Sequence, residues 1–421
     1  MTSTISAAAV AALADEPIDW RFKGLPVEWS GRTPAEICVA RPLLFDTGPL
    51  GPVCVLAADA LAHNAATMAR WCTERGVQLA PHGKTHMSPQ LCARQLAVGA
   101  VGITAATISQ VRTFRAFGVG SVLLANQLID PAGLRWLSTE LDAHPEFDLV
   151  CWVDSVRGVQ IMTAELAAAG AVRPVDVCVE VGQAGGRTGC RTDGMVDEVA
   201  RAAAASPQLR LVGVAGYEAA LGHDVSDVGR DDVRGYLERM RSAVSRLAED
   251  FETDDVLVTA GGSTHFDLVT EVLTGGWPDG LAVRTVLRSG AYLTHDDGLY
   301  RRTSPLTRPG VQSATLLPAL SVWAQVCSRP EPDLAFLTMG RRDVAFDQDL
   351  PLPRSLPESV VTKLNDQHAF LHLGSDDADR VDVGSWLEFG ISHPCTVFDK
   401  WQLIPVLDDE LRVVELIRTF F

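Results

Sequence analysis

Between residues 77 and 288 one pattern recurs eight times: a short, nearly all-apolar run rich in β-branched residues, then an amphipathic stretch rich in Ala, Leu and Arg. The apolar runs are Val77–Pro81, Ala100–Ala105, Ser121–Asn126, Leu149–Asp154, Val175–Val181, Leu209–Gly216, Val256–Gly261 and Val283–Arg288. Helical periodicity fills the gaps, most clearly over Val156–Ala169, Met195–Ala205 and Asp232–Asp250, and a helix over about Asp59–Arg75 precedes the first run. Apolar strands that alternate with helices belong in a parallel sheet covered on both faces. Eight such units in about 210 residues predict a closed (β/α)8 barrel of the TIM type rather than an open doubly wound sheet.

After about residue 290 the texture changes. Val311–Leu317, Ser321–Ser328, Ala335–Gly340, Gln367–Leu373, Trp386–Phe389 and Trp401–Val406 read as short strands between Pro- and Gly-rich breaks, and helical periodicity is nearly absent until the chain end. The fold class is therefore α/β: a barrel over residues 50–285 and a second, mostly β domain over 286–421. Residues 31–49 read as extended, and about 25–49 are expected to join that second domain.

With 421 residues, 47% hydrophobic and 21% charged, the chain suits two cores and is too apolar to be disordered. The formal net charge of -17 repels nucleic acid and anionic lipid, so neither is expected as a partner. Nine scattered cysteines without a CxxC pair point to buried free thiols in a reducing compartment. The apolar run Ala7–Ala14 has no basic residue before it and Asp15 and Glu16 after it, unlike a secretory leader. No charge-free apolar stretch of about 18 residues is present, so no membrane span is expected. A cytoplasmic location follows as an expectation.

The chemistry concentrates in Leu79–Pro89, LAPHGKTHMSP, at the C-terminal end of the first strand, where parallel barrels carry function. A lysine there can bond covalently to an aldehyde cofactor if burial and a nearby cation make its amine nucleophilic. His82 and His86 lie two residues to either side of Lys84, so the three side chains can converge. A solvated lysine in a polar loop has the same local pattern. Gly261, Gly262, Ser263 and Thr264 offer consecutive backbone N–H groups before a helix, a cradle for phosphate or simply a capped strand-to-helix turn.

The PHGKTH segment resembles the cofactor-lysine motif of the D-threonine aldolase and eukaryotic-type D-serine dehydratase family, enzymes of fold type III with an alanine-racemase-like barrel. The resemblance implies pyridoxal 5'-phosphate (PLP) on Lys84, with His82 beside its ring. Ala80 stands where that family usually has Arg. Val179–Arg191, VEVGQAGGRTGCR, resembles the family's VxVDxGxxRxG strand end, which implies Arg187 facing the cofactor, with Gly182 where Asp is usual. Gly213–Ala219, GVAGYEA, implies Tyr217 as an active-site residue, and Thr259–Phe266, TAGGSTHF, implies Gly261, Gly262, Ser263 and Thr264 as the phosphate turn.

His393 and Cys395 in SHPC are two residues apart, so on an extended segment they face one way, and imidazole with thiolate suits Zn2+. Spacing alone does not establish a metal. The resemblance implies it, and a cysteine at the second position resembles the dehydratases, whereas the aldolases tend to have Asp. His368 in DQHAFLHL is placed near the same site by resemblance, with an edge-strand histidine as the plain alternative.

The leading expectation is β-elimination from a D-3-hydroxy amino acid such as D-serine or D-threonine, giving a 2-oxo acid and ammonia. Lys84 takes the α-proton, and Zn2+ on His393 and Cys395 polarises the β-hydroxyl. The alternatives are retro-aldol cleavage to glycine and an aldehyde, amino-acid racemisation, a PLP-binding protein without turnover, and a barrel module with unmodified Lys84. The resemblance also implies a homodimer.

Overall fold

The computed structural model describes residues 3–308 and 315–421. The chain folds as two compact units. The first holds residues 3–6, 69–84 and 95–290, and the second holds 7–68, 85–94 and the described residues after 290. The divide at Gly290 sits close to the change of texture in the sequence. Residues 50–68, assigned above to the barrel, group instead with the second unit.

The eight expected strands are present in the first unit. They are β1 (Gln78–Leu79), β2 (Ile103–Ala105), β3 (Ser121–Gln127), β4 (Asp148–Val153), β5 (Val175–Val181), β6 (Leu209–Gly216), β7 (Val256–Ala260) and β8 (Val283–Leu287). All paired neighbours are parallel, in the order β1-β8-β7-β6-β5-β4-β3-β2. The two ends of the sheet meet: the Val101 amide donates to the Leu79 carbonyl at 2.8 Å, and that of Thr104 to the Pro81 carbonyl at 2.9 Å. That closes the ring and excludes the open sheet.

Leu123, Trp152, Cys178, Val212, Leu257 and Val286 pack together as a buried cluster of this unit. Each large apolar side chain so buried contributes roughly 1.5–3 kcal/mol. The helices start with one recurring device. Thr107, Asp130, Ser155, Thr192 and Ser226 each accept, on a side-chain oxygen, the backbone N–H three residues on. These N-caps satisfy otherwise orphaned amides and turn each strand end sharply into its helix.

The second unit is built on a mixed sheet. Val53–Ala57 pairs antiparallel with Leu320–Glu331 and parallel with Leu403–Leu407, which pairs antiparallel with Val413–Arg418. Leu320–Glu331 also pairs with Trp386–Gly390 and Leu334–Leu337, and the sheet continues through Ala369–His372 to Val360–Leu364. Ile18, Phe22, Trp29, Ile37 and Leu44 from the N-terminal segment pack on Val53, Val55, Leu403 and Leu416.

Three readings are corrected here. Residues 31–49 are not extended: Pro34–Ala40 is a helix, opened by a capping box between Thr33 and Glu36 with Pro at its first turn. The chain ends in a strand, Val413–Arg418. The expected strand Val311–Leu317 lies mostly outside the described residues, and Thr315–Leu317 form none. All nine cysteines are free, and among the described residues no helix is long and apolar enough to cross a membrane.

Candidate functional site

Lys84 follows β1 on a short 3-10 turn, Gly83–Thr85, and is half-buried. A Cβ on Gly83 would lie 2.5 Å from Phe114 Cζ and 2.9 Å from Ile103 Cγ2. Only glycine lets the turn sink this far, which seats Lys84 at the C-terminal rim. Beside it, the His82 amide donates to the Arg288 carbonyl at 3.1 Å. Burial pushes the His82 imidazole well below its ordinary pKa, and the cations of Lys84, Arg288 and Arg187 add to that. The ring is therefore neutral at pH 7, among three cationic groups. His86 belongs to the second unit, where its Nδ1 accepts the Ser88 amide at 3.0 Å and its ring meets Phe398 edge-on.

Arg288, at the end of β8, was missed. Its guanidinium is buried, donating to Thr259 Oγ1 at 2.7 Å and the Gly216 carbonyl at 2.6 Å, and it lies over the Trp152 ring. Burial lowers its pKa, against the pull of Glu218 and Glu180. A charged residue at the C-terminal end of a barrel strand was the available signal. Ala80, by contrast, is buried among the barrel's apolar side chains.

Arg187 and Tyr217 line one cleft with Glu180, Thr188 and Tyr236. The exposed Arg187 guanidinium sits over the Tyr217 ring at 4.9 Å. The Tyr217 amide donates to Tyr236 Oη at 3.0 Å, and that hydroxyl donates to the Val181 carbonyl at 2.6 Å. Gly182 has a steric explanation: a Cβ there would stand 2.4 Å from Arg191 Nη1 and 2.5 Å from the Thr188 carbonyl oxygen. No aspartate fits. The carboxylate on this strand end is Glu180, which accepts from Gln127 Nε2 at 2.5 Å and Thr188 Oγ1 at 3.2 Å. Burial raises its pKa.

The glycine turn after β7 already binds a carboxylate. Glu218, fully buried, accepts from the Gly261 amide at 2.9 Å and the Gly262 amide at 2.5 Å. Ser289 Oγ donates to the Gly261 carbonyl at 3.0 Å, bracing the turn. Ser263 is half-buried, and Thr264 Oγ1 lies 2.8 Å from His223 Nδ1. These amides were expected to face phosphate, and two of them instead hold Glu218.

In the second unit, His393 and Cys395 come together. The His393 ring hydrogen-bonds the Cys395 thiol and, through Nδ1, Asp347 Oδ2 at 2.5 Å. Burial opposes its protonation, but Cys395 and Asp347 outweigh it and raise its pKa to about 9. Thr85 Oγ1 lies 3.3 Å from Cys395 Sγ. Partial burial works against the Asp347 carboxylate, yet the Thr396 hydroxyl and His393 hold its pKa below the ordinary range. Neighbouring nitrogen and sulfur donors suit Zn2+. Among the described residues no group of three or more His, Cys, Asp and Glu side chains is arranged to hold a metal. His368 lies exposed on the turn joining Val360–Leu364 to Ala369–His372.

Residues 56–273 match the family model of the alanine racemase N-terminal domain, and residues 319–407 match that of the "Putative serine dehydratase domain". A D-threonine aldolase of Arthrobacter sp is 27% identical over 350 residues, 82% of this chain and 86% of the relative. A D-threo-3-hydroxyaspartate dehydratase of Delftia sp. (strain HT23) is 27% identical over 375 residues, 82% of this chain and 90% of the relative. The crystal structure of D-threonine aldolase from Filomicrobium marinum superposes with a TM-score of 0.75 at 23% identity, covering 96% of this chain and 98% of that one. Solved variants of a D-threo-3-hydroxyaspartate dehydratase replace a histidine and, two positions on, a cysteine, the latter in a metal-free form. With the closed barrel and the β unit that follows it, these matches show that the chain belongs to the alanine racemase N-terminal domain family and joins that domain to one of the serine dehydratase type.

Proposed function

We propose that this chain is a PLP- and zinc-dependent lyase that eliminates water from a D-3-hydroxy amino acid, yielding a 2-oxo acid and ammonia. The observation that carries this reading is Lys84, seated at the barrel rim by Gly83 and flanked by the neutral imidazole of His82. The site suits an anionic aldehyde cofactor. Lys84 provides the amine, and the turn over Gly261, Gly262, Ser263 and Thr264 presents backbone donors to an anion, two of which, the Gly261 and Gly262 amides, already donate to the oxygens of Glu218. Bound there, PLP supplies an electron sink for charge developing on the substrate α-carbon.

Lys84 Nζ is then the base that takes the α-proton, and His82, beside the cofactor ring, competes poorly for that proton because its depressed pKa makes it a weak base. Arg187 and Tyr217 line the neighbouring cleft and orient the substrate. Zn2+ held by His393 and Cys395 supplies a Lewis acid for the β-hydroxyl. The His-x-Cys pair, with the dehydratase relative whose cysteine variant is metal-free, supports elimination. Retro-aldol cleavage is the second reading, favoured by the aldolase relatives. In it a base takes the β-hydroxyl proton and the Cα–Cβ bond breaks.

Two measurements test the reading together. Borohydride reduction of PLP-loaded protein, followed by peptide mass spectrometry, should place the pyridoxyl group on Lys84. Chelator treatment should stop ammonia release while PLP stays bound. A label on another lysine, or full activity without metal, contradicts the respective half.

A further inference from the structure

His393 is held from two directions. Its backbone takes a left-handed conformation, φ 61°, which an L-residue adopts only when its surroundings enforce it. The enforcing contact is with Asp296. The His393 amide donates to Asp296 Oδ2 at 3.1 Å, while Asp296 Oδ1 accepts the amides of Gly298 and Tyr300 at 3.0 and 2.9 Å. Asp296 is only 2% exposed, so the histidine backbone is tied to the start of the helix Leu299–Thr303 through a buried carboxylate.

The ring is held separately. Its Nδ1 lies 2.5 Å from Asp347 Oδ2, and Thr396 Oγ1 donates to Asp347 Oδ1 at 2.8 Å. One carboxylate thus spans both ends of the segment His393-Pro394-Cys395-Thr396. A carboxylate oxygen on Nδ1 requires a proton on that nitrogen, which leaves Nε2 to offer a lone pair to a cation. A group on Nδ1 cannot ligate an ion held at Nε2 of the same ring. That agrees with the lack of a three-residue ligand group among the described residues.

We propose that Asp347 is the positioning residue of the metal pair. It keeps His393 protonated on Nδ1 and presents Nε2 to the ion, and its charge makes that nitrogen a stronger donor. This rests on the reading of His393 and Cys395 as metal ligands.

The test is a Co2+ titration of the PLP-loaded protein and of Asp347→Asn, Asp347→Ala and His393→Ala, with affinity read by competition with a chromophoric chelator. A 15N spectrum of the zinc-loaded protein reports which ring nitrogen carries the metal. Asp347→Ala should lose affinity by about 10–100-fold, the range typical for such a partner. Asp347→Asn should lose less, because its amide oxygen still accepts the Nδ1–H without the charge. Both variants should keep the thiolate-to-cobalt absorption from Cys395, and the wild-type spectrum should show Nδ1 protonated and Nε2 bound. Thr396→Val, which removes only the hydroxyl on the same carboxylate, gives a milder loss and serves if Asp347→Ala folds poorly. Wild-type affinity in Asp347→Ala and Thr396→Val, or metal on Nδ1, overturns the proposal and leaves the metal reading standing. Failure of the wild type to bind Co2+, or equal binding by His393→Ala, overturns both.

Discussion

The carboxylate of Glu218 accepts the backbone amide of Gly261 at 2.9 Å inside the barrel unit, with no solvent exposure. Burial holds Glu218 above the ordinary carboxylate pKa, although the Gly261 and Gly262 amides pull the other way. The folded chain therefore holds this proton more tightly than the unfolded chain. Stability is lost as pH rises from below the unfolded value through the raised one. Glu218→Gln has no such titration. In urea denaturation across the acidic range, wild-type stability relative to Glu218→Gln should fall with rising pH and then level off. Glu218→Ala strands two buried amides and should cost about 1–3 kcal/mol for each.

Lys84→Ala removes both the attachment point and the base. Turnover should fall by at least about 10²–10⁴-fold, the usual contribution of a positioned base. The reducible adduct with PLP should disappear from this peptide, while the fold, read by circular dichroism, stays intact because Lys84 is only half-buried.

Arg288 and Arg187 should separate cleanly in a stability assay. Arg288 is buried and makes two hydrogen bonds below 2.8 Å. Its loss strands both acceptors and removes a cation that favours the charged form of Glu218, so Arg288→Ala should cost about 1–3 kcal/mol for each stranded bond. Arg288→Lys should recover little, since a single ammonium cannot reach both acceptors as the guanidinium fork does. Arg187 is exposed, and Arg187→Ala should stay within about 0.5 kcal/mol. Its effect should instead appear in substrate affinity.

The barrel could be read from the sequence because its signal is local and repeated. Each strand is mostly apolar, and five of the helices start on a capping side chain, such as Ser155 or Thr192. The strand Val53–Ala57 was not recognised because it runs into the helix Ala58–Glu74 with no turn residue between them. The helix Pro34–Ala40 was misread as extended although Thr33 and Glu36 spell a capping box. In the site, Lys84, Arg187, Tyr217, His393 and Cys395 stood out through motif order. Glu218, Arg288, Asp296 and Asp347 did not, because their roles arise from partners 29 to 97 residues away in the chain, where no spacing rule reaches.

The thiols give an independent check on the metal pair. Cys327 is exposed, whereas Cys72, Cys151 and Cys190 are buried, with pKa values pushed up to about 12 chiefly by burial. Alkylation at neutral pH should mark Cys327 first and leave the buried three unmodified. Cys395 should react in chelator and be protected by Zn2+, with site-by-site labelling followed by mass spectrometry. Equal labelling of Cys395 with and without Zn2+ would remove it from the metal pair.

The products formed from D-threonine distinguish elimination from the alternative chemistry of a PLP lyase. This substrate can follow either route on protein loaded with PLP and zinc, and NMR identifies both sets of products. Elimination yields 2-oxobutanoate and ammonia. Glycine and acetaldehyde would contradict it and make the enzyme an aldolase on the same scaffold.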